Sequence, residues 1–103
     1  MLERNRIITV IIPAFGRPAQ LLGAIESVRA QRIPPAHEVE ILVVDDASTP
    51  AIKLGATYRD VKIVRLARNA GPAGARKAGI EASEGEFLAF LDSDDRWLPD
   101  KLW

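Results

Sequence analysis

The sequence predicts an α/β domain, a mostly parallel sheet with flanking helices. Three observations predict it. Short apolar runs rich in β-branched residues alternate along the chain with segments of helical composition. The first of these runs is apolar almost throughout, as expected of a strand covered on both faces. Three of the four runs end in polar residues. In open parallel sheets, ligands bind beyond the carboxyl ends of the strands.

The elements follow in order. Residues 7–12, Ile-Ile-Thr-Val-Ile-Ile, form the first strand, closed by Pro13. Pro18 suits the first turn of a helix. Leu21, Leu22, Ile25 and Val28 give that helix one apolar stripe, and Pro34 and Pro35 end it. Residues 39–44 form a second strand that runs into Asp45 and Asp46. Residues 47–57 read as either loop or short helix. Residues 61–66 form a third strand, and Asn69-Ala70-Gly71-Pro72 breaks the chain. Residues 73–83 are helical in composition. Ala75, Ala78 and Ala82 are expected on one side, letting the helix sit close to the sheet, and Gly85 punctuates its end. Residues 87–91 form a fourth strand that delivers Asp92-Ser93-Asp94-Asp95.

Residues 1–103 are enough for one compact domain and too few for two. Hydrophobic residues make up 48%, sufficient for a packed core. Fourteen basic residues balance 14 acidic ones, which gives no support to a nucleic-acid partner. There is no cysteine, so disulfides and thiolate metal sites are excluded. The longest apolar run, residues 7–13, is too short to cross a membrane. The N-terminal Met-Leu-Glu-Arg-Asn-Arg leads straight into a strand, with no signal-peptide core. A soluble, cytoplasmic piece is expected, although the full-length protein can differ, for instance by associating with a membrane. Residues 97–103 still look like ordered structure, so the chain is read as the front of something longer.

Parallel strands would bring the polar residues after strands one, two and four to one sheet edge. Asp92 and Asp94 stand two apart on a turn, a spacing of hard oxygen ligands that suits Mg²⁺ or Mn²⁺. A turn whose carboxylates face water or cap the next segment explains that spacing equally well. Asp45 and Asp46 either stabilise a turn through nearby amides or accept hydrogen bonds from a base or ribose. Arg76 and Lys77 either face solvent or place a cation beside a nucleotide. Phe15 stacks on a base or packs in the core, and for an isolated Phe the core is the better reading. His37 has no assigned role. Trp97 and Trp103 are read as packing residues.

Together these residues resemble family 2 glycosyltransferases. The resemblance rests on Ile-Thr-Val-Ile-Ile-Pro at 8–13, Val-Val-Asp-Asp-Ala-Ser at 43–48, Asn-Ala-Gly at 69–71, Ala-Arg at 75–76 and Phe-Leu-Asp-Ser-Asp-Asp at 90–95. Trp-Leu-Pro-Asp-Lys-Leu at 97–102 is also similar to that family. The resemblance implies a GT-A fold, cut after the strand that bears the Asp-x-Asp pair, and an inverting, metal-assisted transfer from a nucleotide-diphosphate sugar to an acceptor hydroxyl. The common donors of such families are UDP-sugars, and cell-wall or polysaccharide biosynthesis is the expected setting. The implied nucleotide-binding residues are Pro13, Ala14, Phe15, Asp46, Arg76, Asp92 and Ser93. The implied ligands of Mg²⁺ or Mn²⁺ are Asp94 and Asp92. The family's catalytic base lies further along than this chain extends, so no catalytic residue is assigned. The chain is therefore expected to bind donor without transferring sugar, and to self-associate through surface that the remainder would cover.

The sequence departs from the family twice. Phe15-Gly16 stand where Tyr-Asn is common, which removes a hydroxyl, and Lys77 replaces an Asn. Residues 40–46 are also similar to the first strand of receiver domains, where an acidic pair binds Mg²⁺ and a later Asp accepts phosphate. A nucleotidyltransferase would show a Gly-rich loop after strand one, where this chain has a single glycine. No Gly-x-Gly-x-x-Gly follows any strand, as a dinucleotide-binding domain would require. An inactive nucleotide-binding module of the same fold is the remaining alternative.

Overall fold

A computed structural model describes residues 6–103. The charged N-terminal stretch falls largely on residues 1–5, outside the described residues. The elements are β1 (Arg6–Ala14), α1 (Pro18–Arg29), β2 (His37–Asp45), a 3₁₀ turn (Ala56–Tyr58), β3 (Lys62–Arg65), α2 (Gly71–Ala82) and β4 (Phe87–Phe90). The strands lie in the order β3-β2-β1-β4, and every pair is parallel. Among the described residues no helix is long and apolar enough to cross a membrane.

Successive strand residues point to opposite faces, and the two central strands use this to build two cores. Val10, Ile12 and Ala14 of β1 and Ile41 and Val43 of β2 pack under Leu21, Ala24, Ile25 and Val28 of α1. Ile11 of β1 and Leu42 and Val44 of β2 face the other way and meet Ala75 of α2. Burial on both faces explains why β1 and β2 read as continuous apolar runs. The outer strands β3 and β4 are short, and Phe87, Leu88 and Phe90 of β4 remain exposed.

α2 does sit close to the sheet, but through a partly different set of residues than the alanine spacing predicts. Ala75 and Gly79 are buried, whereas Ala82, the last helical residue, is exposed. A Cβ on Gly79 would stand 2.5 Å from Ile11 Cγ2, so helix and strand meet where a side chain is missing. Gly85 does not cap the helix, which ends at Ser83 in an extended conformation. It lies instead against β1, where its N–H donates to Thr9 Oγ1 at 2.9 Å.

Candidate functional site

The parallel register sets the strand ends level. Ala14, the last residue of β1, pairs with Asp45, the last of β2. The Leu91 N–H donates to Ile11 O, so β4 delivers Asp92 beside the same edge. After β1 the chain turns through two successive left-handed residues, Gly16 at φ 64° and Arg17 at φ 52°. Such values are uncommon for a residue with a Cβ, and here they reverse the chain into Pro18 in the first turn of α1. The turn pushes Phe15 outward. It is 57% exposed, which overturns its reading as a core residue.

Asp45 and Asp46 are both buried and both hold backbone amides. Asp45 Oδ1 accepts from Ser48 N, and Oδ2 accepts from Ile52 N and Arg65 Nη1. Burial alone would raise its pKa. The hydrogen bonds from Ile52, Ser48 and Arg65 outweigh that and hold the carboxyl below its ordinary value. Of residues 47–57, which composition leaves as loop or short helix, 47–55 are an irregular loop folded around one carboxylate and the last two enter the 3₁₀ turn Ala56–Tyr58. Asp46 turns the other way. Its oxygens accept from Ala70 N at 2.7 Å and Gly71 N at 3.0 Å, at the start of α2. A carboxylate there satisfies orphan amides and suits the positive end of the helix. The acidic pair on which the receiver alternative relies for a metal is therefore already engaged by the chain's own amides and Arg65.

The loop after β4 differs. Asp92, Asp94 and Asp95 are exposed, and one carboxylate oxygen from each comes within 4.8 Å of the others. A turn closes beneath them through Asp95 N to Asp92 O at 3.0 Å. Arg76 Nη2 meets Asp92 Oδ1 at 3.1 Å. Both partners of this pair are well exposed, so the contact is weak and either side chain can turn to another partner.

These loops enclose a cavity of about 360 Å³. Pro13, Ala14, Phe15, Asp46, Asp92, Ser93 and Asp94, all singled out in the sequence, line it. Arg76 does not. It lines a neighbouring hollow with Arg96, Trp97 and Lys101, and touches the first cavity's wall only through Asp92. Arg17, in the polar cluster after strand one, also lines the cavity, as do Asn69, Gly71, Pro72 and Ala75, to which the sequence reading gave no site role. Asn69-Ala70-Gly71-Pro72 read as a chain break. Its position opposite Asp46 depends on bonds made across 24 and 25 residues, which no local pattern signals. Ser48, whose Oγ accepts from Gly16 N, was missed for the same reason.

Comparison with known proteins gives a consistent result. The model of the family "Glycosyl transferase family 2" matches residues 9–102. The succinoglycan biosynthesis protein ExoO of Rhizobium meliloti (strain 1021) is 42% identical over 98 residues, covering 92% of this chain and 27% of that protein. The putative teichuronic acid biosynthesis glycosyltransferase TuaG of Bacillus subtilis (strain 168) is 34% identical, covering 93% of this chain and 39% of that protein. The crystal structure of S. aureus TarS 1-349 in complex with UDP superposes with a TM-score of 0.77 at 31% identity, covering 92% of this chain and 29% of that one. The chain thus spans well under half the length of these relatives. The parallel sheet and flanking helices are those of the GT-A fold, and the chain belongs to glycosyl transferase family 2.

Proposed function

We propose that the cavity binds the nucleotide-diphosphate portion of a sugar donor, as part of an inverting, metal-assisted transfer to an acceptor hydroxyl. The observation that carries this reading is the meeting, at one sheet edge, of an exposed aromatic, a helix start and an exposed acidic loop. The exposed ring of Phe15, with Pro13 and Ala14 behind it, offers an apolar surface to a base. Asp46 keeps free lone pairs after accepting from Ala70 and Gly71, so it can also accept from a base N–H. Asp92 and Ser93 stand where a ribose would follow, and Arg76 can exchange Asp92 for a diphosphate oxygen. The S. aureus relative in complex with UDP favours UDP-sugars as donors.

The three gathered carboxylates are hard oxygen donors and fit Mg²⁺ or Mn²⁺, with Asp94 and Asp92 as the ligands. A bound divalent ion supplies charge neutralisation of the diphosphate leaving group. The chain's own residues orient the donor, Phe15 at the base end and Asp92 and Asp94 at the diphosphate end. The expected setting is polysaccharide biosynthesis, in keeping with the succinoglycan and teichuronic acid relatives. The 103 residues alone bind donor without transferring sugar, and steady sugar transfer by the purified chain would refute that. The edge of β4 that pairs with no strand among the described residues, with Phe87, Leu88 and Phe90 exposed, supports self-association of the chain.

The reading is tested by mapping amide resonances during addition of UDP and Mn²⁺. Shifts at Phe15, Gly71, Ser93 and Asp94 are expected. Shifts confined to the opposite sheet edge, near Arg6 and His37, would overturn it.

A further inference from the structure

Within the acidic loop the holding contacts are the turn bond from Asp95 N to Asp92 O and the exposed Arg76–Asp92 pair. Asp92, Asp94 and Asp95 are exposed, and three carboxylates this close repel one another. At its front the loop is fixed by Leu91, which is 3% exposed in the core. What fixes its other end is a row of contacts from α1 and the residues just after it.

That row has a spacing of four. Gly23 lies against Arg96, and a Cβ there would stand 2.7 Å from Arg96 Nη2. Ser27 Oγ accepts from Trp97 N at 3.1 Å while donating to Ala24 O. Gln31, only 7% exposed, reads both ends of the following turn. Its Nε2 donates to Leu98 O and its Oε1 accepts from Leu102 N at 3.0 Å. Arg32 N–H adds a bond to Pro99 O at 2.7 Å. Residues four apart share one face of a helix, so Gly23 and Ser27, with Gln31 just beyond the last turn, form one line along the segment 96–102. The amide nitrogen also donates to Ser27 O at 3.3 Å within its own segment, so this buried group ties the end of α1 to two backbone groups about 70 residues away, its oxygen on Leu102 N and its nitrogen on Leu98 O.

We infer that Gln31, with Ser27, is a positioning residue for the donor site: it sets the spacing of Asp92 and Asp94 by clamping the segment that follows them. The inference rests on the donor-binding reading above, since the loop's task there is to hold the diphosphate end. Neither side chain lines the cavity, so their influence passes through the backbone between residues 95 and 98.

The test uses Gln31→Met, which keeps the volume and removes the bonds to Leu98 and Leu102 together with the local one to Ser27 O, and Ser27→Ala as a milder second variant. Two readouts are taken on each. The first is amide hydrogen exchange. Exchange at Asp95 and Trp97 should quicken, while the core amides of β1 and β2 keep wild-type rates. The second is UDP affinity with and without Mn²⁺. The Mn²⁺-dependent affinity should fall about ten-fold, the usual effect of removing a residue that orients a metal ligand. Affinity without metal should hold. In an Asp94→Ala background, Gln31→Met should cost nothing further, because the loop's contribution is already gone. Unchanged exchange at Asp95, a loss of affinity equal with and without Mn²⁺, or a full additional loss in the Asp94→Ala background would each overturn the inference. If wild-type protein takes up no UDP, the donor-binding reading fails, and the exchange data still decide whether α1 holds the loop.

Discussion

Gly16 donates its backbone N–H to Ser48 Oγ at 2.7 Å, which ties the turn after β1 to the turn after β2. Ser48 is itself buried, and its own N–H bonds Asp45 Oδ1. One carboxylate at the end of β2 therefore shapes its own loop and, through Ser48, the loop that presents Phe15. Ser48→Ala should cost about 1 kcal/mol of stability, the net worth of one such hydrogen bond. It should also weaken UDP binding a few-fold, because Phe15 loses its fixed support. Paired melting and titration experiments check both effects, and full wild-type affinity would break the proposed link.

Phe15 separates a binding role from a packing role. The ring is 57% exposed, so Phe15→Ala should leave stability within about 0.5 kcal/mol of wild type. Loss of stacking on a base costs about 1–3 kcal/mol, so UDP affinity should fall about ten-fold or more. A large fall in melting temperature would instead return Phe15 to the core.

Asp45 makes stability depend on acid. Against the raising effect of burial, bonds from Ile52, Ser48 and Arg65 hold its carboxyl below the ordinary 3.8. The folded chain therefore binds this proton less tightly than the unfolded chain does. The stabilisation is fully present above the ordinary value and is lost as the pH falls through 3.8 and then through the folded value. Glu40 behaves in the same sense. Burial raises its pKa, and bonds from Lys62, Glu84 and Thr9 lower it further than burial lifts it. Asp45→Asn should cost about 2 kcal/mol at neutral pH, the order of a hydrogen bond to a charged group. It should also flatten the loss of stability below about pH 4, while the contribution of Glu40 persists. Melting curves taken across the acid range check this, and parallel curves for variant and wild type would contradict it.

The sequence made the sheet legible because burial on both faces leaves a compositional mark. Ile7 to Ile12 and Val39 to Val44 could hardly be anything but inner strands, and the polar residues at their ends pointed to one edge. The outer strands were overdrawn by a residue at one or both ends, since β3 and β4 make only four ladder pairs each. Asp45 as a turn-stabilising carboxylate was legible, and it does bond Ser48 N and Ile52 N. The long-range clamps stayed hidden: Asp45 also takes a guanidinium 20 residues away, Asp46 holds α2 across 25, and Gln31 reaches Leu102 across 71. Single polar side chains of this kind have no periodicity, so composition cannot tell them from residues facing water. Phe15 taken as an isolated residue reads as core for a related reason. Aromatic residues favour cores on average, whereas this one, directly before the left-handed turn at Gly16 and Arg17, is exposed.

The central claim is that the cavity at the ends of β1, β2 and β4 holds a nucleoside diphosphate together with a divalent cation. Calorimetric titration of UDP, GDP and dTDP with and without Mn²⁺, on wild type and Asp94→Ala, tests it most directly. Wild type should bind UDP most tightly, Mn²⁺ should strengthen the binding, and Asp94→Ala should remove the Mn²⁺ effect without unfolding the chain. A folded wild-type protein that binds none of the three nucleotides, or an Asp94→Ala variant that keeps the full Mn²⁺ effect, would contradict it.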